Sequence, residues 1–308
     1  MPNSARSPQT RLFLPRALAR KIGVAVPLLL GLIALGRPAA VQAQETTSEE
    51  QMRRVEVKEG EVLVGTIVSE DDEEVVLRTD RLGEVTLKRA NIKSIDQVDP
   101  SRIRDGEYWF PNPQSTRYLF APNAIGIRKG EGYYQNTWVL FNNVNYGVSN
   151  HFSIGAGTVP IFLFGAEALP LWVLPKVSVS TPQQNLHVAG GALLGGVVGE
   201  GGGGLGLLYG NATVGSRDHN ATVGLGYGYV GDEVSDRPVV NISGMTRIGK
   251  KTYLISENYI FPDAGVVSLG LRWAPENFVL DVALFRPLEE TGVLVAWPWL
   301  GVTVPFGG

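Results

Sequence analysis

The sequence predicts an all-β chain whose bulk is an antiparallel barrel of about twelve strands, between ten and twelve, behind a small separate β module. Three observations predict it. Beyond Tyr118, large apolar residues alternate at period two with small or polar ones, and helical spacing is not sustained over any comparable window. A charge step divides the chain: residues 44–106 hold 26 charged side chains in 63 positions, whereas residues 107–308 hold 25 in 202. The second stretch also carries all 6 Trp, all 10 Tyr and 31 of the 38 Gly, so the two parts are expected to fold separately. The chain has no Cys, which excludes disulfide scaffolds, thiolate metal sites, iron–sulfur clusters, cysteine nucleophiles and a lipidated N-terminal cysteine. A net charge of -3 gives no general case for a nucleic-acid partner.

Residues 1–43 read as a secretory signal. They hold Arg6, Arg11, Arg16, Arg20, Lys21 and Arg37 with no acid, then an apolar run from Ile22 to Gly36, then the small-x-small site Val41-Gln42-Ala43. A transmembrane helix needs about 20 apolar residues, and this run is shorter and carries Pro27. Removing the signal leaves 21 basic against 30 acidic residues, a net of -9. No later stretch suits a membrane helix, so a mature membrane protein made from this chain has to be a β-barrel.

Residues 44–104 read as five short strands: Val55–Lys58, Val62–Val68, Glu74–Thr79, Val85–Lys88 and Ile92–Val98. The stretch EGEVLVGTIVSEDDEEVVLRTDRLGEVTLKRANIKSID resembles the small SH3-like or Sm-like barrels. The Sm-like comparison suggests RNA, but the module is acidic, 16 to 10, and RNA affinity rests on neutralising phosphates. The run Glu70-Asp71-Asp72-Glu73-Glu74 lacks the spaced ligands and glycine of a calcium loop and reads as a solvated hairpin tip. Residues 105–114 read as a linker, and residues 115–308 as the barrel.

Barrel strands are expected near 115–121, 133–147, 151–159, 171–180, 186–198, 205–214, 220–230, 238–248, 252–261, 265–274, 277–285 and 293–305. In 220–230, Ala221, Val223, Leu225, Tyr227 and Tyr229 share one face, and Thr222, Gly224, Gly226 and Gly228 the other. The non-apolar positions are mostly Gly, Ser, Thr and Asn, with few of the Lys and Glu that clothe a soluble sheet. An outer-membrane barrel presents its apolar face to lipid and its small and polar face to the bore. Aromatic residues at strand ends, Tyr133-Tyr134, Tyr227, Tyr229, Tyr259, Phe261, Trp297 and Trp299, suit interfacial girdles. The last strand, with Val302, Val304 and Phe306 on one face, is similar to the closing strand of bacterial barrels, although Pro305 and two glycines interrupt the likeness. A soluble periplasmic β-protein holding an apolar ligand inside the barrel is the competing architecture.

The stretch NPQSTRYLFAPNAIGIRKGEGYYQN, followed by NYGVSNHFSIGAGTVP, resembles an uncharacterised family of bacterial glycine-rich outer-membrane-type barrels. The resemblance implies architecture and a location in a Gram-negative outer membrane, with lipid as surroundings. It implies no substrate and no catalytic residue.

Candidate chemistry is sparse. Gly199 to Gly206 lacks the Lys and the following helix of a phosphate loop and reads as a hairpin turn. His151, His187 and His219 lack metal-ligand spacing; His187 near Ser178 is the one imitation of a lipid hydrolase. No cofactor, metal site or catalytic residue is expected. Lys176, Arg247, Arg272 and Asp281 fall on the small-residue face and are the lumen-facing candidates. They either pair with one another and stabilise a narrow barrel or form a constriction that selects solutes. Glu257 shares parity with Tyr253, Ile255 and Tyr259, which places a carboxylate on a face read as lipid-facing. The functional expectation is a small pore or structural outer-membrane protein, its periplasmic module available to a protein partner. A barrel enzyme acting on lipids is the alternative from another class.

Overall fold

A computed structural model describes residues 52–104, 107–163, 168–181, 185–199, 204–288 and 296–307. The signal reading of residues 1–43 lies outside the described residues. The chain divides into two compact units between Phe110 and Pro111.

The first unit is a five-stranded antiparallel sheet: β1 (Met52–Val57), β2 (Val62–Glu70), β3 (Glu74–Thr79), β4 (Gly83–Lys88) and β5 (Ile92–Gln97). Its order is β4-β3-β2-β1-β5. Val55, Val75 and Leu77 are buried and form its apolar centre. Asp71 accepts the backbone N–H groups of Glu74 and Glu73, which holds its carboxyl below the usual range and closes the β2–β3 turn. A two-residue pairing of β6 (Ile103–Arg104) with β7 (Glu107–Tyr108) ends the unit.

The second unit is a closed barrel. Its strands are β8 (Gly132–Thr137), β9 (Phe141–Gly147), β10 (Phe152–Thr158), β11 (Ala168–Val173), β12 (Lys176–Ser180), β13 (Leu186–Gly199) and β14 (Gly204–Gly215). They continue as β15 (His219–Val230), β16 (Glu233–Val234), β17 (Val239–Arg247), β18 (Thr252–Ile260), β19 (Gly265–Trp273), β20 (Val279–Pro287) and β21 (Trp297–Phe306). All neighbouring pairs are antiparallel, and β21 pairs back onto β8 and β9 onto β10, so the wall has no free edge. β16 is a flap on β15. β11 and β12 share one place between β10 and β13, broken at Pro175, whose ring removes a donor from the ladder. Of the 14 strands in this sheet, setting β16 aside and counting β11 with β12 leaves twelve wall positions.

The number expected is met through two compensating differences. Residues 115–121 do not join the wall, and the expected strand 133–147 is two strands, β8 and β9. Between them Thr137 to Leu140 makes a tight turn, closed by the Leu140 N–H on the Thr137 carbonyl at 3.1 Å.

The polarity of the wall is that of a membrane barrel. On β15, Val223 and Leu225 are exposed at 56% and 48%, while Thr222 between its apolar neighbours is 1% exposed. Leu269 and Leu271 on β19, with Val282 and Leu284 on β20, continue the outer apolar surface, and Arg272 and Asp281 point inward. An apolar exterior of this extent is unsuited to water and suited to lipid. A soluble barrel, with Leu225 turned inward, is not what forms. Leu269→Arg, at the middle of β19, is expected to cost about 2–4 kcal/mol if it sits at the bilayer midplane; urea unfolding in lipid vesicles measures it.

The girdle expectation needs correction in part: Tyr134 on β8 is exposed at 38% and faces outward as expected. Tyr133, Trp299, Tyr259 and Phe261 lie on inward positions, in register with inward neighbours such as Asn241 and Ala283. The outward aromatics at the short-turn end are instead Phe152, Trp273, Phe278 and Phe306, with Trp273 and Phe278 in edge contact at 5.2 Å.

Candidate functional site

The lumen has two halves of different chemistry. The half towards the short turns is filled by the chain itself. Residues 111–131 enter the barrel before β8, and Thr116 to Asn123 fold into a small loop held by Tyr118 N–H on the Ala121 carbonyl (2.9 Å) and Asn123 N–H on the Thr116 carbonyl (3.1 Å). Leu119, Tyr118, Asn123 and Ala124 are fully buried there.

The wall holds this segment through its inward side chains. Arg272 on β19 donates to the carbonyls of Gln114 (2.6 Å) and Tyr118 (2.7 Å), and its other edge grips Asp281 on β20 at 2.6 and 3.0 Å. Arg117 of the segment bonds Thr303 and approaches the same Asp281 at 3.6 Å. Lys176 on β12 donates to the carbonyls of Asn123 (3.1 Å) and Ile125 (2.8 Å). Glu257 on β18 accepts three consecutive backbone N–H groups, from Leu119, Phe120 and Ala121, at 2.7, 2.9 and 3.1 Å, and the Tyr259 hydroxyl at 2.6 Å. Tyr118 reaches Asn220 and Thr222 on β15, and Asn211 and Thr213 on β14 bond Pro122 and Ala124. Arg217, in the turn after β14, binds Ser115 and Gly126; burial pushes its guanidinium down to about 10, still cationic at neutral pH.

Three of the four sequence candidates, Lys176, Arg272 and Asp281, therefore meet on one peptide. The fourth, Arg247, sits at the short-turn end, where it pairs with Asp218 at 3.3 Å and lies over the Tyr253 ring. Glu257 resolves its own conflict: β18 is turned over relative to the reading of its pattern, so Tyr253, Ile255, Glu257 and Tyr259 all face the bore and Leu254 and Ile260 face out. Sequence reasoning missed Arg117, Arg217 and Tyr118. The available signal was Pro111, Pro113 and Pro122, whose density argues against a strand in a closed ladder.

His187 bonds Ser180 through Nδ1 at 2.8 Å and the Gly215 carbonyl through Nε2 at 3.3 Å; its hydroxyl partner is Ser180, not Ser178.

The half towards the longer connections, at 159–167, 231–238 and 288–296, is an apolar vestibule of about 660 Å³. Arg117, Phe120, Ala121 and Pro122 of the inserted segment line it from below. One side is an aromatic arc. Trp172, Phe141, Trp138, Trp299 and Phe285 follow one another at ring separations of 6.3, 6.3, 4.8 and 5.4 Å. The other side is aliphatic, with Leu193, Val197, Leu205 and Leu207. Gly157 makes room for the arc: a Cβ there would lie 2.3 Å from Trp172 Nε1. The expected lumen of small and polar groups thus holds only in the short-turn half.

Trp138 reaches the vestibule at a conformational cost. Trp138 and Val139 both have positive φ, 51° and 65°, at a turn where Asn-Gly is the usual choice. The left-handed conformation costs an L residue about 1–2 kcal/mol, and more for a β-branched one. The Trp138 ring offsets this by donating to the Pro298 carbonyl at 2.8 Å and packing on Trp299. Val139→Gly is expected to stabilise the barrel by about 1 kcal/mol, read as an upward shift of the urea midpoint.

No protein-family model matches the chain, and no curated protein matches it. Among solved structures, KdgM porin, alone and in complex with disordered oligogalacturonate, is similar at 8% identity and TM-score 0.42, covering 57% of this chain and 98% of that one. OmpT, an outer membrane protein of Vibrio cholerae, is similar at 9% identity and TM-score 0.30, covering 84% of this chain and 95% of that one. The closed strand order and the polarity of the two faces stand independently of these likenesses.

Proposed function

We propose that the protein is an outer-membrane barrel held shut by its own chain, a closed pore or structural envelope protein with its N-terminal module in the periplasm as an adaptor. The observation that carries this reading is the seating of residues 111–131 in the lumen, bonded from β8, β12, β14, β15, β18, β19 and β21. A solute that crosses has to displace this segment, which buries its hydrogen bonds with the wall. Short turns at the end where the segment enters fit a periplasmic end, and the longer connections fit an outer one. The module precedes the segment directly in the chain, so a periplasmic partner of the SH3-like module is positioned in sequence to act on the closure. The reading predicts electrical silence. Purified full-length protein in planar bilayers is expected to show no stepwise conductance, and a chain lacking residues 112–126 to show stable steps. Conductance of the intact protein at the level of the deletion would refute the closed state.

A further inference from the structure

We propose that the vestibule opens sideways into the bilayer over a low stretch of wall, and that an acyl chain of a neighbouring lipid enters it there. The proposal rests on the seating of the lumenal segment, which is the floor of the vestibule.

Among the described residues, the wall is uneven at the vestibule end. The last pair between β21 and β8 is Gly301 with Thr137, and β21 continues for four more residues, Leu300 to Trp297, along β20. On the other flank the last pair between β10 and β11 is Thr158 with Leu171, and β11 continues for three more residues, Pro170 to Ala168, along β13. At about 3.3 Å per residue, β8, β9 and β10 stop roughly 10–13 Å short of the strands on either side. The aromatic arc from Trp172 through Phe141 and Trp138 to Trp299 runs along this sill.

The turn that tops the sill suits hydrocarbon rather than water. Trp138, Val139, Leu140 and Phe141 are all exposed, Val139 at 76%. A turn in water usually carries Asn, Asp or Gly at such positions. Here the asparagines stand beside the turn and serve its backbone. Asn136 Nδ2 donates to the Val139 carbonyl at 3.2 Å and to Asn142 Oδ1 at 2.8 Å, and Asn142 Nδ2 donates to the Leu140 carbonyl at 2.9 Å. The Trp138 N–H is taken by the Leu300 carbonyl. In water such carbonyls need no side-chain partner; against lipid they do, because nothing else there can donate to them. Asn136 and Asn142 lie on the outer face of β8 and β9, with Tyr134 and Val144, so the sill is continuous with the lipid-facing wall. The positive φ angles of Trp138 and Val139 fit the same account, because strain of this kind persists where it places a functional side chain.

The cavity behind the sill suits an apolar occupant that brings no polar group with it. Polar side chains of its lining are engaged within the protein. Lys176 holds two carbonyls of the segment, Glu257 accepts four donors, and Asn143 accepts the Trp172 Nε1–H at 2.9 Å and donates to Gln135 at 3.1 Å. The side facing the arc is Leu193, Val197, Leu205 and Leu207, which offer no hydrogen bond. A volume of about 660 Å³ falls in the range of single small-molecule sites, about 300–1,000 Å³. An acyl chain that bends over the sill leaves its headgroup at the bilayer surface and buries only hydrocarbon, which the hydrophobic effect favours.

The test uses the full chain in nanodiscs of phosphatidylcholine with a diazirine at the end of one acyl chain. Irradiation followed by peptide mass spectrometry locates the insertion sites. Outward Leu269 and Val282 label in any lipid-facing barrel and serve as the reference. Labels are expected on Val139 and Leu140 of the sill, and on Leu193, Leu207 and Phe120 inside the vestibule. Leu207→Glu puts a carboxylate in the aliphatic side and is expected to abolish the inner labels while the reference labels stay unchanged. Val139→Asp alters an exposed residue at a positive φ that Asp tolerates, so the fold is not at stake, and is expected to lower the inner labels severalfold. Labels confined to outward residues, or inner labels that neither variant changes, overturn the proposal. Conductance of the same preparation separates the two readings: steps together with inner labels overturn the closed state and leave lateral entry standing, and silence without inner labels does the reverse.

Discussion

Replacing Glu257 by Ala is expected to unseat the lumenal segment and turn a closed barrel into a conducting one. The carboxylate is fully buried and is the common acceptor for the N–H groups of Leu119, Phe120 and Ala121. Those three donors point at one oxygen, so no neighbouring hydroxyl is placed to take them over together. Truncation leaves them without a partner and leaves the Tyr259 hydroxyl without its acceptor. Each buried donor left unpaired costs about 1–3 kcal/mol, so the cluster as a whole is expected to lose about 3–5 kcal/mol or more, a large fraction of the stability of a domain. The loss falls on the segment rather than the wall, because the β17–β18 and β18–β19 ladders do not involve this side chain. Glu257→Gln keeps an acceptor oxygen but not the charge, and is expected to lose about 1–3 kcal/mol. Conductance steps in planar bilayers together with trypsin cleavage after Arg117 report the opening. If Glu257→Ala stays silent and protected, Glu257 is not the latch.

The second large effect belongs to Arg272. Its guanidinium is 0% exposed and divides its donors between the Asp281 carboxylate and the carbonyls of Gln114 and Tyr118. Arg272→Met removes the cation, leaves Asp281 with only Arg117 at 3.6 Å, and strands two carbonyls of the segment. The expected loss is again about 3–5 kcal/mol. The double variant Arg272→Met with Asp281→Ala is expected to be destabilised by less than the sum of the two single changes, by about 2 kcal/mol, because the uncompensated charge goes with its partner. Urea unfolding of the vesicle-inserted protein gives all three values. Strict additivity would mean that the pair does not act as a unit.

Much of the wall was legible before any tertiary structure. Val223 and Leu225 against Thr222, or Leu269 and Leu271 against Arg272, are period-two patterns whose apolar members face lipid as the alternation requires. β18 was misread because Tyr253, Ile255 and Tyr259 are apolar enough to resemble a lipid face, while Ser256 and Asn258 look like lumen residues. Alternation defines two faces and does not say which is outside. The register with β17, where Ser243 stands opposite Glu257 and Asn241 opposite Tyr259, decides it.

The lumenal segment was hidden for a related reason. Residues 115–121 carry enough apolar side chains to pass for a strand, and only the three prolines dissent. Whether a stretch pairs with neighbours or is threaded between them depends on long-range bonds such as Glu257 to Leu119 or Arg272 to Gln114, across separations of 138 and 158 residues. Local pattern carries no information about partners so distant.

The amino-acid order by itself determined a two-part, all-β chain with a membrane-type wall, because alternation and charge density are local properties that the backbone converts directly into faces. Only the tertiary structure decided that the bore is occupied, that Lys176, Arg272 and Asp281 serve the occupant rather than an open channel, and that an aromatic vestibule lies beyond it. Those features arise from closing twelve wall positions into a ring, which brings inward side chains from opposite sides within hydrogen-bond reach of a segment none of them adjoins in sequence.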